Sequence, residues 1–128
     1  MTIHVATVSS LEKVFLEEEP KAKEIKSGSA LRGERYSFQI VCHVEDAEKI
    51  NISASVSTVP ELDAQVYEVG VVPATFPVNS QYDEDYLRVV PGLFPDPLYP
   101  HEGDFSLAHD QWRSLWITTV IPENFDAD

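Results

Sequence analysis

The stretch RYSFQIVCHV, residues 35–44, decides the fold class of this chain. Its apolar residues recur at every second position, and successive residues of a β-strand point to opposite faces of a sheet. One face would carry Tyr36, Phe38, Ile40, Cys42 and Val44, and the other Arg35, Ser37, Gln39, Val41 and His43. The pattern predicts a half-buried strand in which Cys42 is a small buried hydrophobic residue.

A second alternating stretch, KINISASVS at residues 49–57, follows a short polar connection. Ile50, Ile52, Ala54 and Val56 would face inward, and Asn51, Ser53, Ser55 and Ser57 would face outward. Two alternating strands joined by a short polar segment predict an antiparallel pair with one solvent-facing side.

The remaining strand signals extend this pattern over the whole chain. Further strands are predicted at residues 3–8, 22–27, 65–72, 86–90 and 112–121. Only residues 10–20 suggest a helical turn, with Ser10 as its cap and Pro20 as its end. Short strands separated by turn signals predict an all-β, antiparallel β-sandwich with an immunoglobulin-like or jelly-roll-like layout.

The last residues, 112–128, give a strong strand, a proline and an acidic turn. A sandwich normally follows such a turn with a returning strand. We therefore expect a single domain over residues 1–128 that is the N-terminal fragment of a longer protein, lacks its last strand and leaves an exposed edge.

The segment PGLFPDPLYP, residues 91–100, contains four of the nine prolines of the chain. Each proline fixes φ and removes a backbone donor, so the segment is predicted to be an ordered loop or an edge strand. Gly33 is predicted to lie in a turn or a bulge.

Composition narrows the classes of partner. The chain has 128 residues, 22 of them acidic and 9 basic, and its formal net charge is -13. This charge disfavours nucleic acid and anionic membranes as partners. Its single cysteine excludes an internal disulfide, and its first residues do not form a signal peptide, so a cytoplasmic location is expected.

The polar residues match no known catalytic or metal-binding motif. Two groups of polar residues are candidates, one for a catalytic carboxylate pair and one for metal ligands. The first group is Asp83, Glu84, Asp85 and Asp96, and the second is His101, Glu102, Asp104, His109 and Asp110. Both are predicted to be polar loops, without a catalytic residue, a metal site or a cofactor. Trp116 is predicted to lie in the core, and Tyr82, Tyr86 and Tyr99 are the candidates for stacking on a sugar ring.

Four segments together carry a family resemblance: SSLEKVF (9–15), LRGERYSFQIV (31–41), YLRVVPGLFPDPL (86–98) and WRSLWITTVIPENF (112–125). In this order they resemble the N-terminal domain of bacterial proteins related to glycoside hydrolase family 123, including relatives with a domain of unknown function. The resemblance runs from about Ser9 to Pro122, and residues 91–98 are its most specific part.

The resemblance implies a β-sandwich that precedes a (β/α) barrel, with the hydrolytic residues in the barrel. Members of the family act on N-acetylgalactosaminides through an adjacent Asp-Glu pair in that barrel, so no catalytic residue is carried over to this chain. The domain is then expected to be a non-catalytic accessory domain that packs against the downstream barrel. Its docking candidates are Leu93, Phe94, Leu98, Tyr99, Arg32 and Glu34.

Three alternatives stay open at this point, one of which is a purely interaction or assembly role. A stand-alone carbohydrate-binding module would require an exposed row of aromatic side chains, and an enzyme would require converging carboxylates in a pocket. We expect a structural role for Arg32 and Glu34, as an Arg-Glu pair beside the start of a strand. We also expect a structural role for Gln39, as an amide that bonds a loop backbone. The alternative for all three is a role near the active-site cleft of the longer protein.

Overall fold

The computed structural model describes residues 2–46, 48–75 and 88–126, and these residues form only β-strands, turns and irregular segments. The strands are β1 (Ile3–Ser9), β2 (Arg35–Val44), β3 (Lys49–Ile52), β4 (Ala64–Ala74), β5 (Gly92–Pro100), β6 (Phe105–Ala108) and β7 (Arg113–Val120). Five of them form an antiparallel sheet in the order β1-β2-β7-β4-β5, and β3 pairs with β6. The prediction of an all-β, antiparallel, sandwich-like fold is confirmed.

Strand β2 lies inside the large sheet, between β1 and β7. Ile40 lies opposite Thr7 on one side and opposite Leu115 on the other. The predicted pair of β2 with β3 is therefore wrong, because both edges of β2 are occupied and β3 pairs with β6 in the second sheet. The predicted solvent-facing side of β2 is also wrong, since Gln39 and His43 are each only 3% exposed.

One face of the large sheet packs against the small sheet. Cys42 and Val44 of β2 form a buried cluster with Leu107 of β6, against which Ile50 and Ile52 of β3 pack. Exposure also alternates as predicted along residues 50–57, although the strand itself ends at Ile52. This cluster is the hydrophobic layer between the two sheets.

The segment that follows β1 covers the opposite face of the large sheet. Its Val14 forms a second buried cluster with Val8 of β1 and Val41 of β2, and Trp112 packs against that cluster. The Gln39 amide donates hydrogen bonds to the backbone carbonyls of Ser9 and Glu12, at 3.1 and 2.7 Å. The prediction that Gln39 bonds a loop backbone is thus confirmed.

Four local predictions need correction. Residues 22–27 are not a strand, although the N–H of Ile25 donates a 2.8 Å hydrogen bond to the carbonyl of Thr7. Residues 10–20 form no helix; Ser9, not Ser10, accepts the capping-type bond, from the N–H of Leu11. Residues 88–90 are not a strand, and residues 86 and 87 lie outside the described residues. The segment 101–110, predicted to be a polar loop, contains β6.

Strand β7 lies between β2 and β4, so among the described strands the edges of the large sheet are β1 and β5. Gly33 lies in a turn immediately before β2 and has a φ of 80°. Glycine adopts this left-handed conformation without a Cβ clash, which confirms the predicted turn.

No helix in the described parts of the chain has the length and apolar character needed to cross a bilayer.

Candidate functional site

Exposed apolar side chains lie on both faces of strand β5 and of the adjacent end of β4. We call the four side chains Val72, Leu93, Leu98 and Tyr99 the β5 surface. Leu93 and Leu98 pair with Pro73 and Val69 and share one face of the sheet, whereas Tyr99 and Val72 belong to the other. Leu93, Leu98 and Tyr99 are 43%, 41% and 57% exposed, and Val72 is 37% exposed. Three of the predicted docking residues are therefore accessible on a single edge strand.

The proline-rich segment itself is this edge strand. Among the described strands it pairs with β4 alone, as the prediction of a loop or an edge allowed. Pro95, Pro97 and Pro100 have no N–H, so a further strand pairing along β5 would find few donors. The β5 surface is therefore suited to side-chain contacts rather than to strand addition.

A β-bulge shapes the middle of the β5 surface. The pairing shifts between Val69 and Val71, so that Asp96 and Pro97 lie opposite the single residue Gly70. The Tyr99 ring leans over Gly70, where an added Cβ would lie 2.6 Å from Cε2 of the ring. Gly70 therefore leaves the space in which the Tyr99 ring lies.

Phe94 differs from the other predicted docking residues, because it packs within the domain. Its ring makes an edge-to-face contact with Phe15, at 5.8 Å between centroids and 78° between planes. The Arg88 guanidinium lies 3.6 Å from the Phe15 centroid and forms ion pairs with Glu17 and Glu18. Phe94 is therefore half-buried by a contact within the domain.

Arg32 and Glu34 do not join the β5 surface. They flank Gly33 before β2, and strands β7 and β4 lie between β2 and β5. The Glu34 carboxylate accepts a 2.6 Å hydrogen bond from the N–H of Leu31, and Glu34 and Arg32 form no ion pair with each other in the described structure. Glu34 thus stabilises its own turn, and the expected Arg-Glu pair is wrong.

Of the three predicted sugar-stacking residues, the structure describes one. Tyr99 is exposed, but part of its ring lies over Gly70. Tyr82 and Tyr86 lie outside the described residues, as do the carboxylates Asp83, Glu84 and Asp85. Asp96 is an exposed residue of β5. Trp116, predicted to be core, is only half-buried.

No group of three or more metal-ligand side chains forms within the described parts of the chain. The side chain of His101, in the segment 101–110, is buried. Its Nε2 accepts a 3.3 Å hydrogen bond from the N–H of Ala54, and its Nδ1 lies 3.8 Å from the Glu68 carboxylate with no hydrogen-bond partner among the described residues. This imidazole connects the segment after β3 to the β4–β5 edge.

Sequence analysis did not predict a second feature, a cleft of about 380 Å³ beside the start of β1. Its wall includes His4, Glu19, His43, Glu45, Asp46 and Trp112. His4 and His43 lie directly opposite each other in the pairing of β1 with β2, so their imidazoles share one face of the sheet. We call this feature the histidine cleft. The sequence pattern places each histidine in a strand, but it does not show that the two strands are neighbours, so the cleft could not be predicted.

Aromatic stacking and a carboxylate fix His43 in the histidine cleft. Its ring stacks on Trp112, at 4.1 Å between centroids and 14° between planes, and its Nε2 lies 3.0 Å from Oδ1 of Asp110. Asp110 has a φ of 54°, a left-handed conformation that aspartate tolerates better than most residues. A hydrogen bond from the N–H of Thr2 lowers the pKa of Asp46, which keeps a negative charge on the cleft wall.

No protein-family model matches the chain, and no curated protein matches its sequence.

Proposed function

We propose that this chain is a non-catalytic accessory β-sandwich domain whose β5 surface packs against a neighbouring domain of the same polypeptide. The observation that supports this function is the exposure of Leu93, Leu98 and Tyr99 on one proline-rich edge strand. Exposed apolar side chains grouped on one element are typical of an interface, whereas single ones are not.

Rigidity of β5 favours the same function. Four prolines in residues 91–100 restrict the backbone, and Phe94 is anchored on Phe15. A surface that is ordered before binding loses little conformational entropy when a partner packs on it. The β5 surface therefore needs only modest contacts to hold a neighbouring domain.

The resemblance to family 123-like proteins suggests the identity of that neighbour. The proposed partner is a glycoside-hydrolase-like (β/α) barrel that follows this domain and acts on carbohydrate. The catalytic residues of the longer protein would then lie in the barrel, and this domain would support it.

A test begins with the coding sequence beyond residue 128, because a barrel encoded there can be produced separately from this domain. Leu93→Ser together with Leu98→Ser should weaken the association of the two pieces at least about tenfold, since both side chains would lose apolar contact. Leu11→Ser with Leu31→Ser is the matched control, because these leucines are 90% and 76% exposed and lie outside the β5 surface.

Equal binding by both double variants would contradict a role for the β5 surface. The absence of a barrel in the coding sequence would contradict the proposed partner.

The second candidate function is a carbohydrate-binding module, and the exposure of Tyr99 is the observation that favours it. Retention of the chain on immobilised glycans, lost in Tyr99→Ala and kept in Leu93→Ser, would support this alternative over docking. A single tyrosine with a partly covered ring is a smaller platform than a row of aromatic residues, so we favour docking.

A further inference from the structure

The other open edge of the large sheet, β1, differs from β5 because it contains no proline. Within the described parts of the chain, the backbone hydrogen bond on its outer side is the one that Ile25 donates to the carbonyl of Thr7. In an antiparallel strand, the N–H and C=O of one residue point to the same side, and the side alternates from residue to residue. The backbone groups of Ile3 and Val5 therefore point outward, as those of Thr7 do.

The first half of β1 also presents apolar side chains. Ile3 and Val5 are 38% and 56% exposed. They lie opposite Val44 and Cys42, which belong to the cluster between the two sheets. Ile3 and Val5 therefore extend that apolar layer to the sheet edge, where an added strand could bury them.

The opposite face of the same half-strand has different chemistry. His4 projects from it into the histidine cleft, whose lining includes the carboxylates of Glu19 and Glu45 and neither lysine nor arginine. A strand added beside β1 would place every second side chain next to this acidic wall. Basic side chains at these positions would be attracted to it, and the net charge of -13 would favour their approach.

We propose that the outer edge of Ile3–Val5 binds an extended segment of a partner protein in which apolar and basic residues alternate. The segment would add as a strand to the large sheet, with backbone hydrogen bonds to Ile3 and Val5. Its apolar side chains would cover those of Ile3 and Val5, and its basic side chains would reach the histidine cleft. This mode of recognition, strand addition at a sheet edge, combines backbone affinity with side-chain specificity.

A second copy of this chain fits the same edge less well. Its own β1 would present His4 and Ala6 to the carboxylates, and neither is a lysine or an arginine. Two chains of net charge -13 would also repel each other. Charge therefore selects a basic partner segment over self-association.

The test uses two synthetic peptides, one that alternates valine with lysine and one that alternates valine with glutamate. Isothermal titration calorimetry of the full chain should detect binding of the basic peptide only, and its affinity should fall as salt is raised. In NMR spectra, the largest shifts should fall on the amides of Ile3 and Val5 and on the indole of Trp112.

Val5→Pro isolates the backbone part of the proposal. It removes an outward N–H and leaves the inward hydrogen bonds of β1 to β2 in place, because those belong to the neighbouring residues. The variant should keep its fold and bind the basic peptide at least about tenfold more weakly. Should Val5→Pro not fold, a basic peptide with an N-methyl group on the backbone nitrogen facing β1 makes the same comparison with the unchanged protein.

Glu19→Gln with Glu45→Gln isolates the charge. The double variant should bind the basic peptide at least about fivefold more weakly at low salt, and its affinity should depend less on the salt concentration. Glu61→Gln is the control, because Glu61 is an exposed carboxylate outside the histidine cleft. Equal binding of the acidic peptide, unchanged binding to Val5→Pro or no binding of the basic peptide would each overturn the proposal. A dimer in sedimentation that Val5→Pro abolishes would assign the edge to a second copy instead.

Discussion

The hydroxyl group of Ser114 in β7 donates a 3.1 Å hydrogen bond to Oε1 of Gln39 in β2, and both side chains are buried. The Gln39 amide nitrogen in turn donates to the carbonyls of Ser9 and Glu12. A single side chain thus ties the segment after β1 to the centre of the large sheet. Buried polar groups joined in this way are costly to separate.

Gln39→Leu should lower the free energy of unfolding by about 2 kcal/mol, because the Ser9 and Glu12 carbonyls and the Ser114 hydroxyl would lose their partner. Ser114→Ala should cost about 1 kcal/mol, since only one acceptor of Gln39 is left without a donor. Urea denaturation of both variants tests whether Gln39→Leu loses more stability than Ser114→Ala. Equal stability of Gln39→Leu and the unchanged chain would show that water replaces the amide.

Leu107→Ala should be among the most damaging single changes in the core. Leu107 is 0% exposed and lies between the sheets against Cys42 and Val44. Truncating a fully buried leucine costs about 2–5 kcal/mol, through lost burial and the cavity that remains. Thermal unfolding measures the loss, and Leu11→Ala is the matched control because Leu11 is 90% exposed. Similar melting temperatures for both variants would contradict the packing of the two sheets.

Phe94→Ala should destabilise the isolated domain by about 1–3 kcal/mol, because its ring contacts Phe15 inside the domain. Leu93→Ala should change stability by less than about 0.5 kcal/mol, since Leu93 is an exposed edge residue. Calorimetric melting temperatures distinguish the two. An unchanged melting temperature of Phe94→Ala would contradict this packing and would make Phe94 a docking candidate again.

The thiol of Cys42 should be unreactive in the folded protein at pH 8, because burial raises its pKa to about 11. A thiol reagent that gives a coloured product should react slowly before unfolding and rapidly in denaturant. The raised pKa also means that the thiol keeps its proton in the folded state when the unfolded chain begins to lose it. This contribution to stability is fully present below about pH 9 and is lost as pH rises toward 11.

Cys42→Ala is the control for that pH dependence. Its own cavity lowers stability at every pH, but its loss of stability between pH 9 and 11 should be smaller than in the unchanged chain. A parallel loss in both proteins would assign the alkaline sensitivity to other groups.

Local patterns predicted the strands better than their partners. The alternation in residues 35–44 identified β2, because side-chain direction in a strand depends only on neighbouring residues. The partner of β2 depends on residues far away in sequence, and a buried polar cluster around Gln39 made a covered face look exposed. Strand β6 was missed because its four residues lie within the polar segment 101–110.

The features of the candidate surfaces also fall into those that local sequence predicted and those that depend on topology. Prolines in residues 91–100 predicted an edge position, because each restricts its own backbone, and the structure confirms it. The aromatic packing of Phe94 and the distance of Arg32 from β5 depend on topology, which the sequence pattern does not contain. The histidine cleft was missed for the same reason, since His4 and His43 meet only through the pairing of β1 with β2.

The central position of β7 has a consequence for the order of folding. β7 joins the β1–β2 pair to the β4–β5 pair, yet it is the last of the seven described strands to be synthesised. Until residues 113–120 emerge from the ribosome, the two pairs have no common neighbour, and the inner edges of β2 and β4 remain open to wrong partners. Cooperative folding must therefore wait for the end of this segment, so a nascent chain stalled before Arg113 should need chaperone protection.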